Sequence, residues 1–155
     1  MLTSRSVNVA MRALTAVPDR DEQAKLVLKA FDFAKRLDVP PDESGFKHAL
    51  RACDRSGSWS RALDMLEAMR EAGYTPDVLT YANVMSACAR NGRAQTVLRL
   101  LADMRAEGLQ PNAFCYNAAI NACARARRWR QGISIMHEME VCVRVCVCDA
   151  RDARE

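Results

Sequence analysis

Pro41-Asp42, Pro76-Asp77 and Pro111-Asn112 stand 35 residues apart each time, and that period constrains the fold more than any single residue. Other columns keep the same beat: Ala52-Cys53, Ala87-Cys88 and Ala122-Cys123; Arg20, Arg55, Arg90 and Arg125; Met69, Met104 and Met139. Self-similarity at a period of about 20–50 residues marks an array of small supersecondary units, none of which buries its apolar face alone. Such an array works through a surface that its units share rather than through one enclosed pocket.

Cutting after each Pro-Asx pair gives a segment 1–7, units 8–42, 43–77 and 78–112, an incomplete fourth unit 113–140, and a remainder 141–155. In the third unit Tyr81, Val84, Met85 and Cys88 recur at helical spacing from about Leu79 to Arg90, and Asn91-Gly92 breaks the run. Val97, Leu98, Leu101 and Met104 repeat the pattern from about Ala94 to Glu107. Gly108 suits a left-handed C-cap, and Pro111 blocks continuation. Each unit is therefore a pair of antiparallel helices, and the fold class is all-α: an α-solenoid of stacked antiparallel helical hairpins in 35-residue repeats. The second unit agrees through Phe46, Ala49, Leu50, Cys53, Leu63, Leu66 and Met69, and the fourth through Tyr116, Ala119, Ile120, Cys123, Ile133 and Met136. The first is degenerate, with Pro18 in the cysteine column and Asp38 in place of the capping glycine, as expected of a terminal cap. After Glu140 the chain reads VCVRVCVCDARDARE. Its Val/Cys alternation is β-like, and it reads either as a tail unrelated to the array or as the end of a fragment of something longer.

Composition excludes several classes. Half the residues are hydrophobic and 27% charged, which fits a globular helical chain and not a disordered one. No run approaches the ~18–20 apolar residues of a membrane-spanning helix, so no membrane partner is expected. A net charge of +4 does not by itself imply a polyanion, but CARARRWRQ, from Cys123 to Gln131, holds four arginines and no acid. That stretch is either a solvated turn or a basic patch. Cys53, Cys88 and Cys123 occupy equivalent apolar positions too far apart to bridge, so they read as reduced core thiols, in keeping with a reducing compartment. Cys142, Cys146 and Cys148 lack a second ligand pair and a suitable histidine, so neither a metal nor a cofactor is expected. Trp59 and Trp129 share one slot at the start of the second helix, where inter-helix packing accounts for them. His48 and His137 have no Ser, Cys or Asp constellation around them, and neither His-x-Glu nor Pro-Cys-x-x-Cys occurs. The sequence thus offers no catalytic residue, no small-molecule substrate and no sign of an enzyme.

The unit T-Y-x-x-x-[MI]-x-A-C-A-R-x-G-R, followed by an apolar helix and M-R-x-x-G-x-x-P-[DN], resembles the pentatricopeptide repeat, well over 43–140 and loosely over 8–42. The related tetratricopeptide repeat has a 34-residue period and a Trp-Leu-Gly signature, absent here. The resemblance implies binding of single-stranded RNA, one base per repeat, in the processing, stability or translation of organelle transcripts. It implies a mitochondrial or plastid location, although residues 1–18 show no distinct targeting signal. Base recognition in the family relies on the residue after the first-helix aromatic and on the last residue of the unit. These are Arg12 and Asp42 in the first unit, Lys47 and Asp77 in the second, Ala82 and Asn112 in the third, and Asn117 in the fourth. Ionised Asp only accepts hydrogen bonds, so it suits uracil or guanine; Asn both donates and accepts, and suits adenine or cytosine. The family also sandwiches each base between apolar residues near the start of successive first helices, here Leu79 and Phe114, with Val9 and Ser44 in the same slot elsewhere.

Second roles remain open for several of these residues, Asn117 among them, which reads equally as a solvated helix residue. Asp42, Asp77 and Asn112 are also placed to cap the helix that follows. Leu79 and Phe114 are also placed to join the core between units. Arg20, Arg55, Arg90 and Arg125 either compensate a helix C-terminus or form a phosphate track at the base spacing, with Arg127, Arg128 and Arg130 as an extension. Four units specify at most about four bases, a site found by chance roughly once in 4⁴ positions, so more repeats or a protein partner are needed to select one transcript. The competing reading is a solenoid scaffold that binds protein and no RNA.

Overall fold

A computed structural model of the chain describes residues 4–14, 19–37, 39 and 41–152, with the backbone alone described for 4, 5, 8, 11, 20 and 141–152. Pro18 and Asp38, and the side chains of Arg20, Cys142, Cys146 and Cys148, lie outside the described residues. Helices follow one another as α1 (Ser4–Leu14), α2 (Arg20–Arg36), α3 (Glu43–Ser56), α4 (Trp59–Glu71), α5 (Val78–Arg90), α6 (Ala94–Ala106), α7 (Ala113–Arg125) and α8 (Trp129–Asp152). No strand occurs among the described residues, and no helix of theirs is long and apolar enough to cross a membrane. The molecule is an all-α solenoid. First helices stack on one another, α3 on α5 and α5 on α7, and each second helix wedges between its own partner and the first helix of the next hairpin.

Small side chains fill the buried positions of the first helices. Ala49, Ala52 and Cys53 of α3, Ala87 and Cys88 of α5, and Ala119, Ala122 and Cys123 of α7 are all buried. Burial pushes the Cys53 thiol up to about 12 and the Cys88 thiol to about 11, and raises those of Cys115 and Cys123 as well. All four are free, buried thiols, protonated at neutral pH, that fill space. Cys53 Sγ lies 3.5 Å from Met65 Sδ.

In the outer layer the second helices do not pack on one another among the described residues, and long side chains span the gaps. Arg61 pairs with Asp32, Arg70 with Glu107, and Arg105 with Glu138. Arg70 and Arg105 each donate also to the tyrosine hydroxyl of the following first helix, Tyr81 and Tyr116. Where Phe46 replaces the tyrosine, Lys35 stands in the arginine column, and Phe46 packs instead against Phe31 and Tyr74 with ring centroids 5.5 and 6.0 Å away.

Two elements depart from the periodic expectation. Arg20 opens α2 rather than closing a first helix, because Asp19 caps α2 early, accepting from the N–H groups of Asp21 (2.9 Å) and Glu22 (3.4 Å), with two acids in the first turn. As a result α3 packs chiefly on α2 and only lightly on α1. At the other end α8 runs on as helix to Asp152, through the Val/Cys segment that alternates like a strand. No Gly or Pro interrupts it after Gly132, and adding residues to an existing helix is far easier than nucleating a new element.

The first helices α3, α5 and α7 end in a left-handed cap. Gly92 (φ 65°) bonds to Ala89 O at 3.0 Å while Arg93 N reaches Cys88 O at 3.1 Å. Thirty-five residues on, the same cap is made by Arg127 N to Ala124 O (3.1 Å) and Arg128 N to Cys123 O (2.8 Å), but the residue with φ 55° is an arginine. Left-handed backbone costs a residue bearing Cβ roughly 1–2 kcal/mol. Arg127→Gly is therefore expected to stabilise the protein by up to about 1 kcal/mol, raising Tm by about 2–4 °C in a thermal melt. A melt unchanged or lowered would show that the cap carries no strain.

Candidate nucleic-acid interface

Each Pro-Asx turn delivers one residue to the start of a first helix. Pro41, Pro76 and Pro111 are buried, and the next residue has extended backbone (ψ −179° at Asp42, 173° at Asp77 and 173° at Asn112) and acts as N-cap. Asp42 Oδ1 accepts from Gly45 N at 2.9 Å, Asp77 Oδ1 from Thr80 N at 2.7 Å, and Asn112 Oδ1 from Cys115 N at 3.0 Å. Capping is therefore a real role of all three. It occupies one side-chain oxygen and leaves the second polar atom, Oδ2 or Nδ2, uncommitted by the cap.

Between α5 and α7 lies a cleft of ≈ 260 Å³ that gathers Arg90, Phe114, Asn117 and Arg125 with Ser86 and Asn121. It holds an aromatic face, amide groups that donate and accept, and two guanidinium groups. A second cleft, of ≈ 280 Å³, lies between α2 and α3 and is lined by Gln23, His48, Arg51 and Arg55 among others. Phe114 is 53% and Leu79 63% exposed, so neither belongs to the core; Leu79 lies outside the lining of the first cleft. Val9 is exposed likewise, as is Ser44.

The arginines form a ladder along the inner edge. Arg90 Nη1 donates to Asp54 O at 3.0 Å, and Arg125 Nη1 to Arg90 O at 3.3 Å, each reaching a C-terminal carbonyl of the preceding first helix. Arg55 donates to the Gln23 side chain. Arg90 also lies 3.6 Å from Asp54 Oδ1, and since a guanidinium has five N–H donors these contacts pin neighbouring units and still leave donors over. Arg90 and Arg125 are exposed and Arg55 half-buried.

The remaining candidates divide. Ala82 is 1% exposed and presents almost no surface to a ligand in this structure. Its counterpart Asn117 is exposed, because no helix of the described residues covers that face of α7. Arg12 is exposed in the last turn of α1. Lys47 is held between Asp77 Oδ2 (2.8 Å) and Glu43 Oε1 (2.7 Å). Sequence reasoning passed over Arg51, Ser86 and Asn121, which line the clefts one helical turn beyond Lys47, Ala82 and Asn117; their own 35-residue spacing was the available signal.

Family models match in three overlapping or adjoining stretches: "PPR repeat family" over residues 76–125, "Pentatricopeptide repeat domain" over 29–91 and "PPR repeat" over 114–142. Among solved structures the chain is similar to pentatricopeptide repeat protein PPR10 in complex with an 18-nt psaJ RNA element, at 28% identity and TM-score 0.72 over 92% of this chain and 20% of that one. PPR10 from maize gives 27% identity and TM-score 0.67 over 88% of this chain and 18% of that one. The PPR domain of Arabidopsis thaliana protein-only RNase P 1 in complex with tRNA shares the fold, at 17% identity and TM-score 0.74 over 92% of this chain and 73% of that one. The chain thus spans about a fifth of the length of PPR10. No curated protein matches it significantly in sequence.

If capping and an outward polar atom are separable, Asn112→Ala should cost about 1 kcal/mol in thermal or denaturant unfolding, whereas Asn112→Asp should be close to neutral. Equal losses from both substitutions would show that the amide, and not the cap, is what the fold requires.

Proposed function

The chain belongs to the pentatricopeptide repeat family, and from that premise we propose that its inner face binds single-stranded RNA, the bases entering between successive first helices and the phosphates running along the arginine ladder. One observation carries the reading: Phe114, Asn117, Arg90 and Arg125, two hairpins' worth of candidates, converge on a single cleft between α5 and α7. Phe114 supplies a stacking surface, and base–aromatic stacking contributes about 1–3 kcal/mol per base. Asn117 and Asn121 offer both donor and acceptor to a base edge. Arg90 and Arg125 add charge-assisted contacts to phosphate, which position the strand without reading it. PPR10, similar over most of this chain, is in complex with an 18-nt RNA element, which supports RNA as the class of ligand.

The proposal assigns binding and no catalytic step to these residues. It places the protein's work on organelle transcripts, in a mitochondrion or plastid, in processing, stability or translation; the family resemblance alone supports that part. With so few bases contacted, selection of one transcript calls for further repeats or a protein partner.

Fluorescence anisotropy with randomised short single strands, RNA and DNA, at two salt concentrations tests the reading. Salt-sensitive binding that favours RNA is the expected result. Exchanging Arg55, Arg90 and Arg125 together for Gln should weaken binding to every sequence and reduce the slope of log K against log[salt] by up to about 2, at roughly 0.7 per single-strand phosphate contact. A helical sample that binds no RNA, or the triple variant with its salt slope unchanged, would reject the phosphate track.

A further inference from the structure

In the second unit the two candidate reading residues are bound to each other. Lys47 follows the first-helix aromatic Phe46, and Asp77 closes the unit. Lys47 Nζ lies 2.8 Å from Asp77 Oδ2 and 2.7 Å from Glu43 Oε1, one turn back on α3. Asp77 Oδ1 is occupied as well, by Thr80 N and Thr80 Oγ1, both at 2.7 Å. Both carboxylate oxygens thus already accept charge-assisted or capping bonds. A base N–H approaching Asp77 must displace an ammonium group rather than a water.

In the third unit Ala82 has no polar group, and the cap leaves Asn112 Nδ2 uncommitted. In the fourth, Asn117 is exposed in the α5–α7 cleft. In the second unit, by contrast, the reading carboxylate is held by a cation of the same unit.

We propose that Lys47 locks Asp77 in an internal ion pair, so that the second unit contacts RNA without discriminating among bases, and that Lys47 is thereby the residue that sets specificity at this position. This rests on the RNA-binding reading above.

The pair persists across the physiological range. The hydrogen bond to Asp77, then that to Glu43, holds the Lys47 ammonium above its ordinary value. Burial pushes Asp77 up, but the bonds from Lys47 and Thr80 outweigh it and hold the carboxyl below its ordinary value. Both groups therefore stay charged from roughly pH 4 to pH 10, and the lock opens by substitution or competition, not by a neutral-range pH change. Lys47 and Asp77 have side chains 35% and 45% exposed, so the pair adds little to stability. Removing it should change what is read without unfolding the unit.

The test is selection of short randomised RNAs by the whole chain, followed by sequencing, for the wild type, Asn112→Asp, Lys47→Asn, and Lys47→Asn with Asp77→Asn. The column that Asn112→Asp alters marks the third unit, and its neighbour marks the second. The wild type should be flat at that neighbour, within about twofold among the four bases, and Lys47→Asn should favour uracil or guanine there on the order of tenfold. Adding Asp77→Asn, which keeps the cap, should abolish that preference. A wild type that already discriminates at this column, or a Lys47→Asn variant that leaves it flat, overturns the lock while leaving RNA binding intact. A folded wild type that selects no RNA overturns the binding reading itself and the lock with it.

Discussion

Close approach of the first helices is the contact on which the rest depends. Small buried side chains on the first helices (Ala52, Ala87 and Ala122) leave room for α3, α5 and α7 to stack, while Cys53 meets Met65 of α4 and Cys123 faces Gly132 of α8 within the hairpin. That seam fixes the clefts between neighbouring units, and with them the separation of Phe114 and Asn117 from Arg90. A bulky residue at Ala87 or Cys88, both fully buried, would have to force neighbouring helices apart. Packing and recognition geometry are in this sense one property.

The Pro-Asx turn shows how economical the repeat is. Proline ends one hairpin, the next residue starts another by capping it, and the cap consumes only half of an Asx side chain. The other half is free to vary in chemistry from unit to unit while the fold stays constant, since Asp and Asn cap about equally well. Asp77 and Asn112 exemplify this: both take the same cap, and their second polar atoms meet different surroundings.

Most of the architecture was legible in the sequence, because it rests on local periodicity. The expected helices from about Leu79 to Arg90 and from about Ala94 to Glu107 match α5 and α6 to within a residue at each end. What escaped was non-local or competitive. The early start of α2 came from Asp19, whose capping strength overrode the repeat column occupied by Arg20. The strand-like alternation after Glu140 was overridden by propagation of α8. The contrast between buried Ala82 and exposed Asn117 depends on which helix covers which, and a column of equivalent residues does not reveal that. The Lys47–Asp77 pair joins the two ends of one unit across the inner face, a relation visible only once α3 and α5 are stacked.

The two layers also differ mechanically. Inner contacts are short, dense and apolar, whereas neighbouring outer helices are joined by arginine–carboxylate spans such as Arg70–Glu107 and Arg105–Glu138, flexible stems with charged tips. Stretching or compressing the outer layer costs little, because those tips exchange one solvated geometry for another, while the inner seam resists separation at every step. The array therefore behaves as a hinged strip with a stiff inner edge and a yielding outer one. Its curvature can change at the outer edge while the inner spacing, and with it the separation of the clefts, stays as the seam sets it.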